Sequence, residues 1–299
     1  MDNLGYCCIN LTLKPEGVST NRKMIKRTFQ EKGLDWVSEL SLLNLKDLKK
    51  VIEWNIENQI RIFRMSSDMF PWMSEWKFED LPNWDLILSE LQSIGDLVKA
   101  NGLRVGFHPG QYNVLPSPNP KVVLNTVKDL DQHSRILDLM GLPATHFYSL
   151  NIHVGGSYGD KESTLKRFVE NFDLLSDGTK KRLVVENDDK ASQYGVRDLY
   201  EGIHVHTGIP ITFDFFHHLF CTNDMSIEEA ANLAASTWHG MRPLAHYSSS
   251  KKINEDSTAI PRAHADLIYE KMPECSSMFD VEIEAKSKEL ALLDYRKKI

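Results

Sequence analysis

The stretch Leu183-Val184-Val185-Glu186 gives the first indication of the fold, because three apolar residues lead directly into a single carboxylate. The pattern recurs along the chain, where residues that bind metals well stand at or just past the ends of short β-like runs. These residues are His108, His153, Glu186, Asp214, His217, His246 and Glu284. Apart from the pair Asp214 and His217, successive members lie about 30–45 residues apart, roughly the length of one βα unit. That rhythm predicts a metal-dependent barrel enzyme.

Eight candidate strands are rich in β-branched and aromatic residues. They cover residues 4–9, 60–64, 104–107, 147–153, 183–186, 211–215, 244–247 and 278–283. Helical patterns lie between them, with helix starts indicated at Asn119-Pro120 and at the capping box of Ser226 and Glu229. Alternation of this kind is what a closed parallel barrel requires. We therefore predict an α/β fold, a single TIM (β/α)8 barrel domain over residues 1–299, with a metal cluster at the carboxyl-terminal face of the strands and a C-terminal helix or tail at 285–299.

The net charge of −7 argues against an extended basic face, which is the usual feature of nucleic-acid binders. Bound divalent cations would reverse that sign locally, at the place where a phosphate must sit. A nucleic-acid substrate therefore stays open.

Cysteine usage and hydropathy bear on the compartment. The four cysteines, Cys7, Cys8, Cys221 and Cys275, have no C-x-x-C spacing, which predicts buried free thiols in a reducing compartment. The amino terminus has no signal-peptide pattern, and no apolar stretch approaches the roughly 20 residues of a membrane span. We expect a cytoplasmic protein, nucleoid-associated if the source is prokaryotic, with a nuclear location left open.

The carboxyl ends of barrel strands share one mouth, so ligands that are far apart in sequence would meet there. Asp214 and His217 can both face this mouth if the strand stops at Asp214 and a turn begins, which would leave His218 pointing elsewhere. Two or three ions held by histidines and shared carboxylates would clamp the attacking and leaving oxygens of a phosphate ester. The remaining histidines lie in helical or loop patterns and are predicted not to be ligands: His133, His146, His204, His206 and His239.

A tight turn follows the first of these histidines. In His108-Pro109-Gly110-Gln111-Tyr112, the Pro and Gly push Gln111 and Tyr112 outward from the mouth. An exposed aromatic beside an amide suits a wedge that fills space in an opened duplex. A tyrosine that simply covers the barrel rim is the alternative.

The motifs together resemble the UV damage endonuclease family over nearly the whole chain. They are Gly5-Tyr6 with Asn10, Arg64-x-Ser66-Ser67, His108-Pro109-Gly110-Gln111-Tyr112, Asn151-x-His153-x-Gly155-Gly156, Glu186-Asn187-Asp188, Asp214-x-x-His217, Arg262-x-His264-x-Asp266 and Glu284-x-Lys286-x-Lys288-Glu289. Each motif alone is weak, but the ordered set is specific.

This resemblance implies a TIM barrel related to endonuclease IV that acts as a monomer on damaged double-stranded DNA. Such enzymes nick immediately 5′ to cyclobutane dimers, 6-4 photoproducts and often abasic sites, and leave a 3′-hydroxyl and a 5′-phosphate. The resemblance implies two or three divalent ions, usually Mn²⁺, with Zn²⁺, Mg²⁺ or Co²⁺ as alternatives. The implied ligands are His108, His153, Glu186, Asp214, His217, His246, His264 and Glu284, of which Glu186, His153, Asp214 and His246 form the catalytic set. The implied DNA and lesion contacts are Tyr6, Asn10, Gln111 and Tyr112, with Arg64 and Ser67 as phosphate donors.

Two positions depart from the family pattern. Glu75 stands where the family usually has a histidine ligand, and a carboxylate there is a candidate ligand for manganese. Leu244 stands where the family has a lysine two residues before the strand-seven histidine, and it can supply neither a charge nor a modified-lysine ligand.

Two other function classes remain open on sequence alone. Metal-dependent sugar isomerases and epimerases also place His, Glu and Asp at barrel strand ends, although they give no reason for the Gln111-Tyr112 projection. A lesion-binding barrel without catalysis is the other class, because Glu75 and Leu244 alter the ligand set.

Overall fold

The computed structural model describes residues 3–298, and its eight parallel strands form a closed barrel in chain order. The strands are β1 (Leu4–Cys7), β2 (Ile62–Met65), β3 (Arg104–Phe107), β4 (Leu150–Ile152), β5 (Leu183–Glu186), β6 (Ile211–Asp214), β7 (Leu244–Tyr247) and β8 (Asp280–Ile283). Strand β8 closes the barrel by pairing with β1. The predicted TIM barrel and its eight strands are confirmed.

Helices occupy the connections between the strands. They are α1 (Lys26–Glu57), α2 (Trp84–Ala100), α3 (Pro120–Leu139), α4 (Lys161–Phe172), α5 (Asp177–Lys180), α6 (Val196–Leu199), a π-helix (Tyr200–His204), α7 (Val205–Thr207), α8 (Phe215–His218), α9 (Ile227–Ser236), α10 (Lys251–Asn254) and α11 (Lys288–Arg296). Short 3-10 helices cover Lys14–Glu16, Met73–Glu75, Phe78–Asp80 and Glu274–Met278. The predicted helix starts are confirmed, because Asn119 caps α3 and a capping box opens α9.

Several strands are shorter than their sequence patterns. Strand β1 stops at Cys7 because Cys8 has a positive φ of 72°. A turn in which the Tyr148 amide donates to the Thr145 carbonyl delays the start of β4. Strand β6 stops at Asp214, whose side chain caps α8 by accepting from the His217 amide. These ends matter because they set where the barrel mouth begins.

Below the mouth, the barrel interior holds an apolar cluster beside the buried ion pair of Arg104 and Asp280, and the mouth itself is polar. Ile62, Val184 and Leu244 form a buried cluster with Trp238. Two residues further along their strands stand Arg64, Glu186 and His246. Side chains two residues apart on a strand share a face, so the apolar layer forms a floor beneath the polar one.

The cysteine prediction holds in part. All four thiols are free, and Cys7 and Cys221 are buried, but Cys8 and Cys275 are partly exposed. Among the residues that the structure describes, no helix combines the length and apolar character needed to cross a membrane.

Candidate active site

Glu186 stands at the centre of a ring of histidines at the end of β5. Its Oε2 is 3.0 Å from His108 Nε2 and 3.7 Å from His153 Nε2. Its Oε1 is 3.1 Å from His246 Nδ1 and 3.3 Å from His217 Nδ1. The carboxylate is only 1% exposed. Each of its two oxygens therefore faces a different pair of imidazoles.

Asp214 and Glu284 are the other two side chains on the side of the site that Oε1 of Glu186 faces. The Oδ2 atom of Asp214 lies 3.7 Å from His217 Nδ1 and 4.0 Å from His246 Nδ1. The Oε1 atom of Glu284 lies 3.4 Å from His246 Nδ1. The prediction that Asp214 and His217 share the mouth is confirmed, because β6 ends at Asp214 and α8 turns His217 back over it.

His264 reaches the same side from the loop after β7. Its Nδ1 is 3.8 Å from Glu284 Oε2, and its ring centroid is 6.1 Å from that of His217. An isolated antiparallel bridge between Ser250 and His264 holds this loop against the end of β7. His217 and His264 thus lie at the outer edge of the cluster.

A further set of side chains orients the ligand candidates. His153 Nδ1 lies 3.2 Å from Asp188 Oδ1. The Asn151 amide donates to Glu186 Oε2. The side chain of Asn187 joins the end of β5 to β6. Its Nδ2 donates to the backbone carbonyl of Asp214, and its Oδ1 accepts from the backbone N–H of Asp214.

The sequence pattern gives no role to two carboxylates that lie beside the histidines, namely Asp188 and Glu282. The Oε2 atom of Glu282 lies 3.2 Å from His246 Nε2. Their one sequence signal is strand alternation, because Asp188 follows Glu186 by two residues and Glu282 precedes Glu284 by two.

The surroundings shift the pKa values of the three buried carboxylates in different directions. Burial raises the pKa of Glu186, but His246 and His153 outweigh it and hold that pKa well below its usual value. Burial and the nearby Glu186 charge raise the pKa of Asp214. Burial also raises the pKa of Glu284, yet Arg64 and His246 outweigh it and the net shift is downward.

The imidazoles respond to these carboxylates. Burial lowers the pKa of His217, but Asp214 and Glu186 outweigh it and raise that pKa to about 11. The pKa values of His153 and His246 are raised as well, because the carboxylates beside them outweigh burial. Burial lowers the pKa of His108. A cation that binds here must displace protons from imidazoles, so metal loading would release protons.

The donor set fits divalent cations. Ligand atoms of His108, His153 and Glu186 lie within 4.8 Å of one another, and so do those of Glu186, Asp214 and His246. Glu186 belongs to both groups. Within residues 3–298, Asp214 Oδ2 and His246 Nδ1 are buried without a well-formed hydrogen bond, and both face Glu186. Buried polar atoms that converge without partners are what a cation site would satisfy.

Glu75 is not brought to this cluster. It ends the 3-10 helix Met73–Glu75, its side chain is exposed, and it belongs to neither ligand group in the described part of the chain. The helix buries Met73 and turns Glu75 toward solvent. The prediction that Glu75 replaces a family histidine as a ligand therefore does not fit the structure, because its side chain does not reach the cluster.

The predicted wedge is exposed at the mouth. Tyr112 is 66% exposed, and Gln111 lines a cavity of about 390 Å³ that also includes His108 and His153. A Cβ atom on Gly110 would lie 2.4 Å from the Tyr112 ring, so a side chain there would displace the tyrosine from this position. Exposure by itself fits the wedge and the rim alternative equally.

The other predicted DNA contacts are less accessible. The Tyr6 hydroxyl is buried, donates to Asn55 Oδ1 and accepts from Asn10 Nδ2, each at 2.9 Å. The guanidinium of Arg64 points into the barrel, where Nη1 is 2.6 Å from Glu284 Oε1. Ser67 donates to the His108 carbonyl at 2.9 Å. As placed, these side chains support the site from within and present little surface to a duplex.

The histidines predicted to be outside the site have other partners. His133 bonds the Asp129 carbonyl inside α3, and His218 contacts the Met225 carbonyl. His204 and His239 bond the carbonyls of Ile209 and Gly208.

Comparisons with known proteins show the family and the fold of this chain. The family model described as "UV-endonuclease UvdE" matches residues 2–299. The UV DNA damage endonuclease of Clostridium perfringens is 32% identical over 297 residues, which cover 97% of this chain and 69% of that protein. The crystal structure of SacUVDE superposes with a TM-score of 0.84 and 33% identity, covering 99% of both chains. The 3-keto-D-glucoside 4-epimerase YcjR from E. coli, with a TM-score of 0.55 and 9% identity, covers 95% of this chain and 91% of its own and shares the fold alone.

Proposed function

The chain belongs to the UV-endonuclease UvdE family and is thus a UV damage endonuclease of DNA repair, and from that premise we propose its finer chemistry. We propose that it nicks damaged double-stranded DNA immediately 5′ to cyclobutane dimers and 6-4 photoproducts, and also at abasic sites. The products would be a 3′-hydroxyl and a 5′-phosphate. One observation carries the proposal, namely the buried Glu186 carboxylate with two imidazoles on each oxygen.

The proposed ligand assignment follows the two oxygens of Glu186, which would bridge two ions. His108 and His153 would hold one ion. Asp214, His246 and Glu284 would hold the second. A third ion would rest on His217 and His264, whose rings lie at the edge of the cluster. Manganese is the proposed metal, because imidazole and carboxylate together suit it.

Divalent cations bound here would act as Lewis acids that polarise the scissile phosphate and neutralise the charge that develops on it. Neighbouring residues hold the proposed ligand side chains in position for the ions. Asn151 and Asp188 orient Glu186 and His153, and the Asp214 cap on α8 fixes His217. Because Glu186, Asp214 and His246 are buried, bulk water competes little for these donors.

Lesion recognition would come from the Gln111-Tyr112 turn, which projects beside the cluster and could replace damaged bases that leave the stack. Flipping costs least where a lesion has already weakened stacking, so selectivity would depend on deformation energy as well as contact. Tyr6 and Asn10 would support this face from below. Ser67 would hold the His108 backbone, and Arg64 would hold Glu284 rather than a phosphate.

All of these parts would lie in one barrel domain, which would act as a monomer in the compartment that holds the DNA. In a prokaryote this is the cytoplasm and its nucleoid. The sugar-isomerase alternative has only the shared fold in its favour, and it leaves the Gln111-Tyr112 turn unexplained.

The decisive assay uses a duplex with one thymine dimer and a label on the damaged strand. In Mn²⁺, purified protein should cut once, directly 5′ to the dimer, and the 3′ end should support extension by a polymerase. Glu186→Ala should abolish cutting, whereas Glu162→Ala, which removes an exposed carboxylate on α4, should leave it unchanged. Cutting that survives Glu186→Ala would remove Glu186 from the mechanism, and ketose–aldose exchange without cutting would favour the isomerase.

A further inference from the structure

Glu282 is a buried carboxylate that the proposed ligand set does not use. It lies on β8, faces the barrel interior between Asp280 and Glu284, and is 4% exposed. Its Oε2 atom is 3.2 Å from His246 Nε2 and 3.7 Å from Arg64 Nη1. In the barrel register, His246 and Glu282 are direct neighbours on β7 and β8.

The two nitrogens of the His246 ring face different surroundings. Nδ1 faces the cluster, with Glu186 Oε1 at 3.1 Å and Glu284 Oε1 at 3.4 Å. Nε2 faces away from the cluster toward Glu282. The ring is completely buried, so bulk water does not reach either nitrogen. Only Nδ1 can therefore be a ligand of an ion that Glu186 and Asp214 share.

A neutral imidazole carries one hydrogen, and the nitrogen that bears it cannot bind a metal. For Nδ1 to be free, the hydrogen must sit on Nε2 and needs an acceptor there. Within the described residues, Glu282 Oε2 lies 3.2 Å from Nε2, and neither atom makes a well-formed hydrogen bond with any partner, so each is available to pair with the other. A carboxylate behind a metal-binding histidine fixes its tautomer and its orientation.

We propose that Glu282 is a positioning residue for His246: it accepts the Nε2 hydrogen and thereby presents Nδ1 to the ion shared by Glu186 and Asp214. This inference rests on the proposed metal-dependent function. Glu282 itself does not touch the reacting atoms. Arg64, which lies between Glu282 and Glu284, balances the negative charge of both.

Asp280 offers a matched control, because it lies on the same strand and the same face, one layer lower. It is bonded by Arg104 and Arg242 and contacts none of the ligand candidates in the described residues. The change Asp280→Asn should lower the unfolding temperature and leave metal affinity unchanged.

The test measures Mn²⁺ affinity by calorimetry on metal-free protein, with circular dichroism as a check of folding. Glu282→Met removes the acceptor and should weaken the affected ion about 10–100-fold. Glu282→Gln keeps a weaker, neutral acceptor and should weaken it less, by about threefold or more. Long-range ¹H–¹⁵N spectra of the Zn²⁺-loaded protein should show His246 protonated at Nε2 in the unaltered chain and a mixture of tautomers in Glu282→Met.

Three results would overturn the inference. They are unchanged affinity in Glu282→Met, an equal loss of affinity in Asp280→Asn, or a His246 that is protonated at Nδ1. If Glu282→Met does not fold, an unchanged affinity in Glu282→Gln overturns it. If the unaltered protein binds no divalent ion, the proposed function and this inference are both overturned. If the unaltered protein binds the ion normally and the Glu282 variants bind it equally well, this inference alone is overturned.

Discussion

Glu186 combines three properties that an isolated carboxylate in a barrel would not have together. It is buried, its pKa is held below the usual value, and each of its oxygens faces two imidazoles. A buried charge is costly unless opposite charges compensate it, so the histidines around it stabilise the ionised form. Divalent cations would do so more strongly, because each brings two positive charges to the same place.

Arg64 is the residue at which the roles expected from sequence and from geometry differ most. Its guanidinium pairs with Glu284 inside the barrel, which a motif that ends in Ser66-Ser67 does not reveal. We predict that Arg64→Met lowers the free energy of unfolding of the metal-free protein by about 3–5 kcal/mol, because it leaves buried carboxylates without a counter-charge. Denaturant unfolding measures this value.

The salt dependence of DNA binding separates the two roles of Arg64. If Arg64 contacts phosphate, Arg64→Met should reduce the slope of log affinity against log salt by about one and leave stability nearly unchanged. An unaltered slope with a large loss of stability supports the internal role.

Single residues also mark the limit of prediction from sequence. Most of the ligand candidates were predictable because they end apolar runs, which places them at the barrel mouth, whereas His264 is implied only by the family resemblance. Asp188 and Glu282 were not singled out, because alternation gives the face of a strand but not the distance to a ring nitrogen. The buried hydroxyl of Tyr6 donates to Asn55 in α1, a contact between residues that are distant in sequence.

At the scale of elements, the turn after β3 is the clearest candidate for contact with a lesion. We predict that Gln111→Ala combined with Tyr112→Ala weakens binding to a dimer-containing duplex by about 1–3 kcal/mol, because a base loses its stacking partner. Metal content should not change, since neither side chain belongs to a ligand group. Fluorescence anisotropy on damaged and undamaged duplexes measures the effect.

Leu86→Ala is the control for the turn, because it removes an exposed apolar side chain from α2. It should leave both affinities unaltered. Equal affinity of the double variant and the unaltered chain for damaged duplex would favour the tyrosine as a simple rim cover.

Helix α1 is tied to the segment that precedes it through Asp47. Burial raises the pKa of Asp47, but Lys50, Ser19 and Arg22 outweigh it and lower the net value. A carboxyl group whose folded pKa is depressed stabilises the fold above its unfolded pKa, and this stabilisation is lost as the pH falls through the folded pKa. We predict that Asp47→Asn costs about 1–3 kcal/mol at pH 7 and that the difference shrinks as the pH falls from about 5 toward 3. Urea unfolding across this range checks the sign, and a gap that widens with falling pH contradicts it.

Strands were predictable as elements but not always in their bounds. All eight follow from apolar, β-branched runs that barrel strands need because both of their faces are buried. The pattern at 147–153 extended too far, because hydrophobic residues continue through the turn that contains Tyr148. Likewise, residues 274–278 form a 3-10 helix before β8, which periodicity over so few residues cannot distinguish from a strand.

At the scale of the whole molecule, barrel closure converts sequence intervals of tens of residues into a single cluster. The alternation of strands and helices predicts this closure, because right-handed βαβ units curl a parallel sheet onto itself. The number of ions is not predictable in the same way. It depends on ångström distances at the edge of the cluster, such as that between His217 and His264.

Metal binding should stabilise the entire barrel, because the proposed ligands lie at the ends of β3 to β8 and in the loops that follow them, and they come together only in the folded state. We predict that Mn²⁺ at 100 times its dissociation constant adds about 2.7 kcal/mol of stability over protein treated with a chelator. Thermal unfolding at several Mn²⁺ concentrations measures this shift. Glu186→Gln should show little of it, and an equal shift in both proteins would mean that the ions bind elsewhere.

The most direct measurement of the central claim is anomalous scattering at the manganese edge from crystals of the Mn²⁺-loaded protein. We predict at least two peaks, one on each side of Glu186, each about 2.0–2.2 Å from one of its carboxylate oxygens. One peak should also contact His108 and His153, and the other Asp214 and His246. Manganese peaks that lie only elsewhere on the molecule, with none in reach of Glu186, would contradict the account.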